Sequence, residues 1–129
     1  MGFSFFSNRS NESSESGGLW FELSTIAGLE KIIADSMSSA QIIFKHSTRC
    51  IISSIALKNF EHEWNTDEHE AGLHLLDLIQ FREVSNRIAE QLDVVHQSPQ
   101  IIVLEQGEVT LHRSHQSIDA GEVITRLKR

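Results

Sequence analysis

The stretch AQIIFKHSTRCIISSIALKNF, residues 40–60, changes its period in the middle. From Ala40 to Ser47 it is a short, β-branched apolar run of the kind that fills a buried strand. From Cys50 onward Ile52, Ala56, Phe60 and, just beyond the quoted stretch, Trp64 recur at the spacing of one helical face. A buried strand that feeds directly into a helix opens a βαβ unit, which builds a parallel strand pair with helices laid over the sheet. The same stretch places the only cysteine of the chain, Cys50, at the junction between the two periods.

Working outward, the run GLHLLDLI (72–79) reads as a second buried strand, and EVSNRIAEQL (83–92) as a helix with Ile88, Ala89 and Leu92 as its stripe and Ser85 as a candidate cap. The order βαβα is therefore repeated. After Pro99, QIIVLEQGEVTLHR (100–113) reads as two strands around a Gln106-Gly107 turn, and IDAGEVITRLKR (118–129) as a closing helix with cations in its last turn. Upstream, LSTIAGLEKIIADS (23–36) predicts an extra N-terminal helix, capped by Ser24 or Thr25, with Ile26, Leu29, Ile32 and Ile33 on its apolar side. Its internal Gly28 costs about 1 kcal/mol of propensity, which packing must offset. The sum is α, then βαβα, then ββα. That is an α/β, three-layer order with a mixed central sheet, the order of the thioredoxin-like arrangement; periodicity alone does not choose it over other small three-layer folds, and the residues at the two loops carry the choice.

The bounds set by composition agree. A chain of 129 residues supports one core, expected over residues 19–129, while MGFSFFSNRSNESSESGG (1–18) is too rich in Ser, Asn, Glu and Gly to fold alone and reads as a tail. A formal net charge of −7 lacks the clustered cations that nucleic acid requires. One cysteine cannot close an internal disulfide, the opening residues lack a secretory leader or a myristoylation pattern, and no 18-residue apolar run is present. The expectation is a cytoplasmic protein without a membrane anchor.

At a helix start, unpaired backbone N–H groups and the positive end of the helix dipole favour thiolate over thiol. Arg49 precedes the sulfur, Lys45 and His46 lie upstream, Thr48 or Ser47 is a candidate cap, and Ser53, one turn on, is placed to offer its hydroxyl to the sulfur. A buried, inert cysteine is the bland alternative. The strand-to-helix position and the polar KHSTR approach favour the reactive reading. Because Ser53 stands where a resolving cysteine would be, Cys50 cannot run an internal dithiol cycle and must form mixed disulfides with other thiols. In a thioredoxin-like fold, a cis proline before the strand at Gln100 faces the reactive cysteine. Pro99 is expected to be that residue, with Ser98 offering backbone groups to an extended substrate.

With FKHSTRCIISS, DLIQFREVSNRIAEQLDVVHQSPQ and GEVTLHRSHQSI in register, the chain resembles the YtxJ-like family of monothiol bacilliredoxins from about Trp20 to its end. The resemblance implies removal of bacillithiol, a low-molecular-weight thiol, from mixed disulfides on stressed proteins. It implies Cys50 as nucleophile, Thr48 as its upstream neighbour, Ser53 in place of a resolving cysteine, Ser98 and Pro99 as the cis-proline loop, and Ser114-His115 as the family's closing Ser-His pair. The co-substrate is then bacillithiol or a similar small thiol, with no tightly bound cofactor, and the partners are S-thiolated client proteins met by a monomer or weak dimer. The family's active-site form is Thr-Cys-Pro-Ile-Ser. This chain departs from it with Arg49 inserted before the sulfur and Ile51 in place of proline, which removes a pre-organised first helical residue. Phe44 occupies the position, six before Cys50, where thioredoxins often keep a buried acid, and Asp77 reads as a strand-end residue.

Three other readings compete. His46 with Cys50, or His112 with His115, are possible metal ligands, but no pair has compact metal-site spacing, and no metal is expected. Monothiol proteins of this fold can share an iron–sulfur cluster, but their Cys-Gly-Phe-Ser motif is absent. A non-catalytic binding module, in which the Pro99 loop holds a partner strand and Cys50 is incidental, is the third. The acidic run from Glu61 to Glu70, with His62 and His69 inside it, reads as a solvated surface.

Overall fold

The computed structural model describes residues 19–64 and 71–128; the expected tail, His69 and most of the acidic run lie outside the described residues. In chain order the elements are β1 (Phe21–Glu22), α1 (Ile26–Asp35), β2 (Gln41–His46), α2 (Ile51–Glu63), β3 (Gly72–Asp77), α3 (Arg82–Leu92), β4 (Gln100–Glu105), β5 (Glu108–Ser114), a 3-10 turn (His115–Ser117) and α4 (Ala120–Leu127). They form one mixed sheet of order β1-β3-β2-β4-β5, in which β1 and β2 run parallel to β3, and β4 runs antiparallel to both β2 and β5.

The three layers follow from strand alternation. Ile42 and Phe44 of β2, with Ile101 and Val103 of β4, face Trp20, Phe60, Trp64 and Val123, which brings α2 and α4 onto one side of the sheet. Ile43, Ile102 and Leu104 point the other way, onto Leu29, Ile32, Val84 and Ile88 of α1 and α3. Both central strands are buried on both faces, so Ile42, Ile43 and Phe44 of β2 and Ile101, Ile102, Val103 and Leu104 of β4 are continuous apolar runs rather than alternating ones. On the α2 side the core is aromatic: Trp20 meets Phe44 edge-on at 5.8 Å, and Phe60 stacks on Trp64 at 5.4 Å.

Several local expectations are corrected. β1 precedes the first helix, so α1 is the crossover between two parallel strands rather than an addition to the fold. Two residues cannot display a period, and β1 is defined by its ladder with His74 and Leu75. Ile52 does not join the inward stripe of α2; it is 56% exposed, while Phe60 and Trp64 are buried. Each step of four residues overshoots a turn by about 40°, so Ile52 is rotated by roughly 120° from Trp64. Ser85 is not a cap but an interior residue of α3 and is buried there, its hydroxyl without a hydrogen-bond partner among the described residues. Glu61 is no mere solvated charge, because its carboxylate accepts the Trp20 indole N–H at 2.7 Å.

Other local signals match. Thr25, one of the two expected caps, caps α1 through the Gly28 N–H at 2.9 Å; Asp119, not among the expected caps, caps α4 through the Gly121 N–H at 2.9 Å. Gln106 and Gly107 both have positive φ, 57° and 81°, as the two-residue turn of a tight hairpin requires.

Candidate active site

Register decides which residues gather at the end of the sheet. Lys45 pairs with Gln100 across β2 and β4, and Gln100 pairs with Ser114 across β4 and β5. The C-terminus of β2, the N-terminus of β4 and the C-terminus of β5 therefore lie at one edge, which collects the Ser47–Ile51 connection, Ser98-Pro99 and His115. The Ser98–Pro99 peptide bond is cis, and the Pro99 carbonyl accepts the His115 N–H at 3.1 Å. His115 opens the 3-10 turn with φ 55° and is exposed.

Cys50 itself occupies the N-cap of α2; neither Ser47 nor Thr48 caps the helix. Its N–H closes a turn onto the Ser47 carbonyl at 3.1 Å, and its own carbonyl accepts the Ser54 N–H at 3.1 Å, so Thr48 and Arg49 stand out as an exposed turn. The Cys50 side chain makes no capping hydrogen bond to the first turn. The turn's N–H groups are thus open to an anion placed at the cap, which is where the sulfur's own backbone sits. The thiol is free and half-buried, and among the described residues no ion pair engages Arg49 beside it. Around it the first turns of α2 expose Ile51 (74%), Ile52 (56%) and Ile55 (53%), an apolar rim.

Ser53 is fully buried and its hydroxyl is held elsewhere than expected. It accepts the Ser47 N–H at 3.0 Å and lies 2.6 Å from His46 Nδ1. Burial lowers the His46 pKa, opposed in part by the Asp77 and Glu61 carboxylates, which keeps the ring neutral near pH 7. The hydroxyl oxygen accepts from Ser47, and with the neutral ring in its Nε2–H tautomer the hydroxyl proton goes to Nδ1. Ser53 therefore staples the first turn of α2 to the end of β2 and fixes the loop that carries Cys50. Ser53→Ala leaves a part-buried N–H and a buried ring nitrogen unpaired, and the expected loss is about 1 to 3 kcal/mol in urea unfolding; a loss under about 0.3 kcal/mol would remove the staple from the account.

The upstream cations are also redistributed. Successive strand residues point to opposite faces, so His46 reaches α2 while Lys45 points to the α1/α3 side, away from it. Lys45 is 0% exposed, and its ammonium donates to His96 Nδ1 at 2.7 Å. Burial without a carboxylate partner among the described residues pushes its pKa down to about 8. Nothing in the sequence pattern signals this pair, because a lysine in an apolar run and a histidine 51 positions away share no spacing rule. Asp77 ends β3, and its carboxylate accepts the Ile79 and Gln80 N–H groups at 3.1 and 3.3 Å. Phe44 lies in the aromatic core. Among the described residues no three His, Cys, Asp or Glu side chains come together as a metal site, and no helix is long and apolar enough to cross a membrane.

Comparison with known proteins places this geometry. The family model described as monothiol bacilliredoxin BrxC matches residues 21–123. A solved structure described as a proposed oxidoreductase with a thioredoxin fold is 27% identical, with a TM-score of 0.73 over 87% of this chain and 96% of that one. Thioredoxin from Fasciola hepatica (18% identity, TM-score 0.62, 84% and 96% covered) and from Malassezia sympodialis (13%, 0.62, 83% and 86%) share the fold.

Proposed function

This chain belongs to the monothiol bacilliredoxin family and is a thiol oxidoreductase of thioredoxin fold; from that premise we propose that it removes bacillithiol from protein mixed disulfides through Cys50. The carrying observation is the half-buried free thiol at the open N-cap of α2, with a buried serine rather than a second cysteine at position 53.

Two exchange steps balance the chemistry. The Cys50 thiolate attacks the sulfur of the small thiol in the client's mixed disulfide. The client sulfur leaves as thiolate and takes a proton from water, while Cys50 keeps the small thiol in a new disulfide. A second small thiolate then attacks that adduct, releasing the symmetrical small-thiol disulfide and restoring the Cys50 thiolate. No electron passes beyond the sulfurs. The open first-turn N–H groups and Arg49, which has no ion pair among the described residues, favour the sulfur as nucleophile and as leaving group. Thr48 shares the exposed turn with Arg49, and Ser53 acts by holding that turn in place. The backbone of Ser98 beside cis-Pro99 aligns an extended client, and His115 closes the site through its bond to the Pro99 carbonyl. The co-substrates are small thiols and S-thiolated clients, no tightly bound cofactor takes part, and a reducing compartment such as the cytoplasm keeps the single thiol available.

Small-thiol identity is tested by incubating the reduced protein with one client loaded with bacillithiol or with glutathione. Faster release of bacillithiol is expected; equal rates, or faster release of glutathione, would count against it. The apolar rim supplies a further prediction. If clients dock over Ile52 and Ile55, Ile52→Asp with Ile55→Asp slows turnover of a folded S-thiolated protein about five- to tenfold but leaves a small disulfide unaffected. Equal slowing of both substrates would show that the rim serves the fold rather than docking.

A further inference from the structure

The loop that leads into cis-Pro99 is held from below by two buried polar side chains that are neighbours on the sheet. Lys45 of β2 and Gln100 of β4 are directly paired in the ladder, so their side chains emerge on the same face. Both are almost wholly buried, at 0% and 1% exposure. Both reach the same short segment. The Gln100 side-chain amide donates to the Val95 carbonyl at 3.1 Å and its oxygen accepts the Gln97 N–H at 3.3 Å, while the Lys45 ammonium donates to His96 Nδ1 at 2.7 Å. Three consecutive residues, Val95, His96 and Gln97, are thus fixed one after another, although all three are exposed to solvent. Ser98 follows immediately.

A ladder position in the centre of a sheet is normally apolar, as its neighbours Ile43, Phe44, Ile101 and Ile102 are. Two adjacent polar residues there, one of them a lysine with no carboxylate partner among the described residues, are unfavourable for folding. What they gain is a loop of defined shape next to the cis proline. Extended-chain recognition depends on such shape, because backbone donors and acceptors must match the partner's spacing before the sulfurs can align. Resting on the function proposed above, we propose that Lys45 and Gln100 are positioning residues for the substrate, acting through the Val95–Gln97 segment on the Ser98-Pro99 loop and not on the Cys50 sulfur.

The test separates loop from thiol. For Lys45→Met, which keeps the length of the side chain and removes its donors, KM for an S-thiolated peptide is expected to rise about tenfold. The rate of Cys50 alkylation by iodoacetamide, which needs no loop, is expected to stay at the wild-type value. His96→Gln keeps an acceptor for the ammonium and is expected to retain wild-type KM, whereas His96→Phe is expected to match Lys45→Met. The double variant of Lys45→Met with His96→Phe adds nothing further, since both changes break the same tie. An unchanged KM in Lys45→Met, or a parallel fall in alkylation and turnover, overturns the positioning role. Failure of the underlying function looks different: thiol transfer would then survive Cys50→Ser in the wild-type loop background.

Discussion

Cys50→Ser is expected to reduce removal of a small thiol from a protein mixed disulfide to the uncatalysed background, a loss on the order of a thousandfold or more, with the fold intact. The effect is this large because no other group in the chain can replace the sulfur. Cys50 is the only cysteine, and Ser53, at the position a resolving thiol would take, is turned into the protein and bonded to His46 and Ser47. Serine at the N-cap is well tolerated, and its hydroxyl can cap the first turn that wild-type leaves open, so unfolding midpoints should stay level or rise slightly. Parallel measurement of transfer rate and urea unfolding checks both parts. A purely binding role for the fold predicts the opposite pattern, with partner retention unchanged in Cys50→Ser.

The second large effect is on stability. The Lys45 pKa is lowered from 10.5 to about 8 by burial, so the folded protein holds this proton less tightly than the unfolded chain does. The charge therefore opposes folding below about pH 8, the penalty is relieved as pH rises from about 8 to 10.5, and it has vanished above that window. The full penalty is on the order of 3 kcal/mol. Lys45→Met removes it and loses one hydrogen bond to His96, worth about 1 kcal/mol. The variant is expected to be more stable than wild type by about 2 kcal/mol at pH 7, with the advantage shrinking as pH is raised through the window. A variant less stable at pH 7, or an advantage constant between pH 7 and pH 10, would show that the buried ammonium carries no such penalty. Together with the rise in KM expected for the same variant, this describes a residue that improves substrate alignment at the expense of the core.

The sequence discloses those parts of the molecule that rest on period and local chemistry. The strand at Gln41–His46, the helix after Cys50, the Gln106-Gly107 turn and the Thr25 cap all carry their signal within a few residues. The edge strand Phe21–Glu22 is hidden because two residues have no period and because its partner, β3, lies some 50 positions away in the chain. The position of Cys50 is legible, but its role as cap is not, since a turn closed by the Ser47 carbonyl depends on how β2 ends. Ser53, His46 and Lys45 are visible as polar residues near the thiol. Their directions come from the pleat, which sends His46 toward α2 and Lys45 toward the other layer, so two residues that read as one cationic approach serve two different sites. Gln100 carries no signal at all until its pairing with Lys45 is known.

The central claim is that Cys50 takes the small thiol from the client onto itself. It is tested most directly by mixing the fully reduced protein with one equivalent of a bacillithiol-loaded client and measuring intact masses of both over time. The account predicts that the client loses the mass of the small thiol while Cys50 gains it, in equal amounts and before any further thiol is added. A client that keeps its adduct, or one that releases it while Cys50 stays unmodified, would contradict it.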